Sequence, residues 1–426
     1  MLDIGPIHRK EYELESSQQS GSERPKKAAT ARNSSNNTPE KKVKRKTGAS
    51  AGAEPQITEP VIIAQAPGRI HLLGEHGDPG ASLYLSAAID LWVNVAVSAR
   101  KDNSIRFFAA NLQERKRATL VNLKYKREDR WANFIKAAIY LFVDMGFPVR
   151  GMNFTVSGNI PQQIGLGSSA AIEIAAAIAL RAFFKAKVTD QEMIKRLAAA
   201  HTAFFGKPAE LADYIIGFSA KSDQFLIVDE SDQSVIRIKS PFSRCRIILV
   251  DSRVPRFGME NELETRAEDL KKGLDLLSQG RQGASFREFA TLDLLESMGN
   301  LPEVIRRRSL HVVQEIRRVM DAKDFLLRAD TGGLSRLLFH SHEGLRDLYE
   351  VSCPEIDWMV KRAQETEGVL GARMTGLGFY GCTYAIVRNE MIDNYRSRIE
   401  DYERIFGFHP IVYEVKIATG SRIISG

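Results

Sequence analysis

The sequence predicts an α+β fold, and three observations carry that prediction. Short apolar runs bounded by turn residues read as strands, Ala-rich and capped amphipathic stretches read as helices, and the two kinds of element mix without strict βαβ alternation. At 426 residues the chain exceeds the ~100–200 residues of a typical domain, so two packed domains plus an appendage are expected. Hydrophobic residues make up 43% and charged residues 27%, which is ordinary soluble globular usage.

The appendage comes first. From Ser16 to Glu54 the chain is rich in Ser, Asn, Thr, Lys, Pro and Ala and nearly devoid of large apolar residues, so it cannot bury enough surface to offset its ordering entropy. Residues 1–55 are read as a disordered basic tail, with the run KKVKRK (41–46) as a solvated cationic patch. They hold 11 Lys or Arg against 7 Asp or Glu, a net +4 of the chain's +7. The body is therefore nearly balanced in charge, and a nucleic acid is not expected to be its partner.

Order is expected from about Glu59. PVIIAQAPGRI (60–70) reads as a strand ending in a turn at Pro67 and Gly68, and LYLSAAIDLWVNVAVSA (83–99) as a half-buried strand of an antiparallel sheet. Another strand is expected at 154–156, then a turn, then the Ala-rich helix from Ser168. Thr189 and Glu192 form a capping-box pattern ahead of a second helix over 193–205. Further strands are expected in QFLIVDE, CRIILVDS, GCTYAIV and VYEVKIA, and helices over 302–328 and 355–366. No run reaches the ~18 apolar residues of a membrane span, and the first residues lack the apolar core of a signal peptide. A cytoplasmic monomer is expected, with Cys245, Cys353 and Cys382 as reduced thiols too far apart for a close-spaced zinc motif.

Three segments carry chemistry. Ile164-Gly165-Leu166-Gly167-Ser168-Ser169-Ala170-Ala171 lies between a strand and a long helix, where glycines let backbone N–H groups approach a phosphate and the helix N-terminus adds a dipole favourable to anions. Ser168 and Ser169 add hydroxyls for a phosphate or a magnesium ion. There is no G-x-x-x-x-G-K-[ST] run, so this is not a Walker-type loop. Upstream, APGRIHLLGEHGD (66–78) gathers Arg69, His71, Glu75, His76 and Asp78; downstream, RMTGLGFYGCTYAIV (373–387) places Gly376, Gly378 and Gly381 between two strands.

In this order the three segments resemble the signature motifs of the GHMP kinases, and within that superfamily the chain resembles galactokinase from about Pro60 onward. WANFIKAAI (131–139), DSRVPR (251–256), RRRSLHVVQEIRR (306–318) and SHEGLRDLYEVSCPEIDWMV (341–360) extend the resemblance. It implies a two-lobed fold, with a ribosomal-protein-S5-domain-2-like lobe over 56–245 and a ferredoxin-like lobe over 246–426, and ATP and sugar between them. It implies Asp213 as the catalytic aspartate and Arg69 as its cationic partner. Glu75, His76, Asp78 and the position of Leu263 would meet the sugar. Gly165, Leu166, Gly167, Ser168, Ser169, Ala170, Gly376 and Gly378 would hold ATP, and Ser168, Ser169 and Glu173 the Mg2+. The activity implied is phosphorylation of the anomeric hydroxyl of galactose or a related sugar.

The chain departs from the family pattern inside the site. The Asn of the family's GRVN is His71, and EHTDY becomes Glu75-His76-Gly77-Asp78-Pro79. CGIMDQ becomes Ala209-Glu210-Leu211-Ala212-Asp213-Tyr214. A sugar-lining Tyr aligns with Leu263, and the Glu implicated in magnesium binding is His201. Imidazole is a poor magnesium ligand, and His201 shares a helical face with Ile194 and Leu197, which reads as a core histidine. On this pattern a Glu at 201 is expected to hold or raise activity at some cost in stability. Two alternatives to sugar phosphorylation stand beside it: a galactokinase-like sensor that binds ATP and sugar without turnover, and a kinase for another small alcohol.

Overall fold

The computed structural model describes residues 61–78, 81–255, 259–281, 284–297 and 299–426. The tail expected over 1–55, with its KKVKRK run, lies outside the described residues.

The first half of the chain builds one large antiparallel-rich sheet. Its strands are β1 (Ile62–Leu73), β2 (Leu83–Ala99), β3 (Ser104–Ala109), β4 (Glu114–Thr119), β5 (Met152–Gly158), β6 (Gln224–Asp229) and β7 (Ser234–Lys239). The main path runs β1-β2-β5-β3-β4, while β6 and β7 extend from the other end of β2. Helices α1 (Ala132–Asp144), α2 (Ser168–Phe183), α3 (Asp190–Phe205) and α4 (Leu211–Ser219) gather on it, with α2 lying against β1 and β2. The Ala-rich stretch of α2 makes that approach close: Ala175, Ala176, Ala177 and Ala179 are fully buried. Thr189 caps α3 by accepting from the Glu192 N–H at 3.2 Å, but the Glu192 carboxylate turns to Arg196, so only half of the expected capping box forms.

Pro67 and Gly68 do not make the expected turn. β1 continues through them to Leu73, with a bulge against β2 between Pro67, opposite Trp92, and Gly68, opposite Ile89. A bulge absorbs the N–H that proline lacks and resets the alternation of faces. Beyond it Ile70 and Leu72 enter the core, while Arg69 and His71 share the other face.

The second half begins with β8 (Cys245–Asp251) at the start of a smaller sheet, followed by helices α5 (Glu260–Leu277), α6 (Thr291–Glu296), α7 (Glu303–Leu327), α8 (Thr331–Asp347) and α9 (Pro354–Gln364). β9 (Val369–Thr375), β10 (Cys382–Arg388), α10 (Ile392–Phe406) and β11 (Ile411–Val415) complete it, in strand order β11-β8-β10-β9 and antiparallel throughout. The chain then returns to the large sheet, where β12 (Arg422–Ser425) pairs with β1. The three cysteines are free, and no helix among the described residues is long and apolar enough to cross a membrane.

Candidate active site

Three backbone segments meet at one point. Arg69 on β1 donates its N–H to Leu166 O at 3.0 Å and its Nη1 to Gly165 O, which ties β1 to the loop before α2. Gly165 and Gly376 touch backbone to backbone: a Cβ built on Gly165 would lie 2.5 Å from the Gly376 Cα. The loop ends on Gly167 at φ +72°, which begins α2 by position but offers no side chain. The N–H groups of Ser168, Ser169 and Ala170 therefore have no helical acceptor, and Ala171 is the first to bond back, to Gly167 O. Neither serine hydroxyl has a protein hydrogen bond among the described residues. This is an anion cradle of backbone N–H groups at the positive end of a 16-residue helix.

Asp213 faces the cradle. α4 begins at Leu211, so Asp213 sits inside the first helical turn, where the dipole favours its charge. Arg69 grips it in a fork, Nε to Oδ1 at 2.5 Å and Nη2 to Oδ2 at 3.1 Å. Burial by itself would push this carboxyl up. The Arg69 charge and the hydrogen bonds from His71 and Arg69 outweigh it and hold the group at about 2, so it is ionised throughout the neutral range. A Cβ at Gly167 would lie 3.4 Å from Asp213 Oδ2, so the carboxylate and the phosphate loop are neighbours.

The GEH segment is held from the other half of the chain. Gly74 donates its N–H to Glu315 Oε1 at 2.8 Å, and Tyr384 donates its hydroxyl to Leu72 O. Glu75 Oε2 pairs with the fully buried Arg373 at 2.6 Å, and Oε1 accepts from the Gly376 N–H at 2.6 Å. The resemblance assigns Glu75 to a sugar hydroxyl; in the fold both of its oxygens already hold protein donors, and its first role is to fasten this loop to β9 and its glycine turn. His76 packs tilted against Tyr349 with ring centroids 4.9 Å apart. Its ring is driven to about 4 by burial, so it is neutral, and its buried Nε2 has no hydrogen-bond partner. Asp78 Oδ2 accepts from Ser285 Oγ and from the Phe286 N–H, anchoring the turn before α6, while Oδ1 has no hydrogen bond among the described residues. Leu263 lies in the first turns of α5, one turn before Arg266, which reaches Tyr349 O and Glu350 O and covers the Phe379 ring beside Gly378.

Glu173 is where the expected metal set breaks. Its carboxylate is fully buried, with Oε1 on His201 Nδ1 at 2.8 Å and Oε2 on the Tyr214 hydroxyl. Burial pushes its carboxyl up despite those two partners. His201 is half-buried and packs tilted against Phe205 with centroids 4.5 Å apart. No cluster of three or more His, Cys, Asp or Glu side chains suited to a metal occurs among the described residues. The Ser168 and Ser169 hydroxyls lie at the cradle itself, at the start of α2. His201→Glu would set a second carboxylate against a buried one. We expect a stability loss of about 3 kcal/mol or more by denaturant unfolding, not the gain in activity that the sequence pattern favours. An equally stable Glu variant would contradict this reading of the pair.

Sequence reasoning missed Ser86, Arg373 and Glu230 as neighbours of the site. Glu230 follows β6 and accepts from the Ala212 N–H at 2.9 Å in the first turn of α4. Burial, then the charges of Glu210, Asp213 and Asp229, push its carboxyl from 4.5 to about 7 against that one hydrogen bond. A carboxyl that binds its proton more tightly when folded contributes stability below about pH 4.5 and loses it as pH rises through about 7. Glu230→Gln keeps the acceptor and removes the titration. Denaturant unfolding should show it gaining about 3 kcal/mol on the wild type at pH 8 and less than about 1 kcal/mol at pH 5; an equal difference at both pH values would refute the assignment.

The fold and this site define a GHMP-type kinase, and comparison with known proteins agrees. The family description "GHMP kinases N terminal domain" matches residues 133–219, "GHMP kinases C terminal" matches 322–399, and "Galactokinase galactose-binding signature" matches 54–99. A Treponema pallidum relative is 37% identical over 371 residues, covering 86% of this chain and 93% of its own. The galactokinase of Bacillus subtilis is 32% identical over 374 residues, covering 85% and 94%. The crystal structure of Lactococcus lactis galactokinase complexed with galactose superposes with a TM-score of 0.79 at 25% identity, over 85% of this chain and 95% of that one. This chain belongs to the galactokinase family.

Proposed function

We propose that the protein transfers the γ-phosphate of Mg–ATP to the anomeric hydroxyl of galactose. What carries the reading is an ionised Asp213 held by Arg69 directly beside an anion cradle. In this role the phosphates lie on the N–H groups of Ser168, Ser169 and Ala170, with Gly165, Leu166, Gly376 and Gly378 shaping the loops around them. The Ser168 and Ser169 hydroxyls are the protein oxygens that would hold an Mg2+ bound with ATP, and such an ion would supply neutralisation of the phosphate charge. Asp213 orients the sugar hydroxyl and accepts its proton as the oxygen–phosphorus bond forms and ADP leaves, while Arg69 keeps the carboxylate charged until then. The free, buried Nε2 of His76 is suited to a sugar hydroxyl, since a buried polar atom gains most from the partner it lacks, and the Asp78 carboxylate lies in the same segment.

The sensor alternative loses its main support, because His201 has a satisfied structural place and the Arg69–Asp213 pair is intact. The test is coupled ADP release from purified protein with Mg–ATP and a panel of free sugars. Galactose-dependent turnover is expected; none with galactose, beside turnover on another sugar, would overturn the substrate.

A further inference from the structure

His71 stands where the family pattern has Asn, and the proposed chemistry leaves it without a role. It is almost fully buried on β1, two residues beyond Arg69 on the same face. Its Nε2 lies 3.5 Å from Asp213 Oδ1, its Nδ1 is 2.7 Å from Ser86 Oγ, and its ring packs tilted against Tyr84 with centroids 4.6 Å apart. Ser86 is the residue directly opposite His71 in the β1–β2 register, so the contact is a cross-strand pair built into the sheet.

We propose that His71 is a positioning residue for Asp213: its Nε2–H holds the carboxylate at Oδ1, and Ser86, donating to Nδ1, fixes the tautomer that makes this possible. The inference rests on Asp213 being the group that receives the sugar proton.

The electrostatics leave one arrangement. Burial and the adjacent Arg69 charge push the imidazole down, so the ring is neutral at working pH and carries a single N–H. The tautomer with that hydrogen on Nδ1 would aim the Nε2 lone pair at an anionic oxygen. The tautomer with hydrogen on Nε2 donates to the carboxylate and leaves Nδ1 to accept from the Ser86 hydroxyl, which satisfies all three groups. Arg69 alone grips the carboxylate in its own guanidinium plane. A second donor on Oδ1 stops the carboxylate from rotating toward Arg69 and leaves Oδ2 as the oxygen turned to the phosphate loop. His71 gains and loses no proton in the cycle.

The test uses the full-length protein and four readouts. In His71→Leu, kcat with galactose should fall about 10–100-fold while KM for ATP stays within about twofold, since the lost bond acts on the base and not on the cradle. His71→Gln, whose amide nitrogen reaches the place of Nε2, should recover most of that loss, a rescue that a merely space-filling role would not give. Nitrogen-15 NMR of the histidine-labelled wild type should find the His71 proton on Nε2 at pH 7. Carbon-13 titration of the Asp213 carboxyl should move upward in His71→Leu. A proton on Nδ1, an unmoved Asp213 titration, or a folded His71→Leu with wild-type kcat would each overturn the proposal, as would a kcat loss that Gln does not relieve. If the wild type releases no ADP with galactose, the kinase reading fails by itself, and the two NMR readouts still decide His71.

Discussion

Asp213→Asn is expected to lower kcat by about 10²–10⁴-fold while leaving ATP affinity within a few-fold. The amide nearly matches the carboxylate in shape but cannot take the proton of an attacking hydroxyl, and the nucleotide cradle is made by other residues, at the start of α2. The substitution also removes the charge that faces the buried Arg69 guanidinium, whose Nε stands 2.5 Å from Oδ1. A loss of stability should therefore accompany the loss of rate, and kinetics belong well below the variant's melting temperature. Single-turnover kinetics and nucleotide titration on the same preparation separate the two effects. A fully active variant, or one that loses nucleotide binding as steeply as rate, would remove Asp213 from the role of base.

Gly165→Ala should cripple the site by a different route. Gly165 has φ +85°, and an added Cβ would meet the Gly376 Cα at 2.5 Å and both the Gly376 N and Thr375 O at 3.1 Å. Those neighbours are backbone, so relief requires the two glycine loops to separate, and the Glu75 bond to the Gly376 N–H stretches with them. We expect ATP affinity to fall more than tenfold and stability to drop by about 2–4 kcal/mol. Gly206→Ala is the control. It shares the left-handed backbone, φ +69°, at the end of α3, but its Cβ would meet nothing within 4 Å, so it should cost only about 1 kcal/mol and leave ATP binding intact. Equal effects from the two substitutions would mean that backbone strain, and not the contact between loops, governs Gly165.

Much of the site was legible because its chemistry is local in sequence. A glycine-rich turn running into an Ala-rich helix specifies a phosphate cradle by itself, since helix geometry leaves the first N–H groups free wherever the helix is placed. Arg69 and Asp213 were named from motif resemblance and meet in the fold with bidentate geometry. His71 was legible in principle. Once β1 is followed through Pro67 and Gly68, alternation puts residues 69 and 71 on one face, and the expected turn there hid that relation.

What the sequence determined by itself is a set of strongly patterned local elements: the apolar strands, the Ala-rich α2, the Thr189 cap of α3, and the loops whose glycines reach positive φ. These depend on neighbours a few residues away, and their signals lie in a short window. Only the tertiary structure decided which charges satisfy one another. Glu75 is committed to Arg373, 298 residues away, Glu173 to His201 and Tyr214, and Asp78 to the turn at Ser285. A buried carboxylate needs a donor wherever the fold can supply one, and no local pattern records which donor that will be. An acidic side chain thus stands beside the anion cradle at Asp213 and fastens a loop at Glu75, and long-range packing makes the difference.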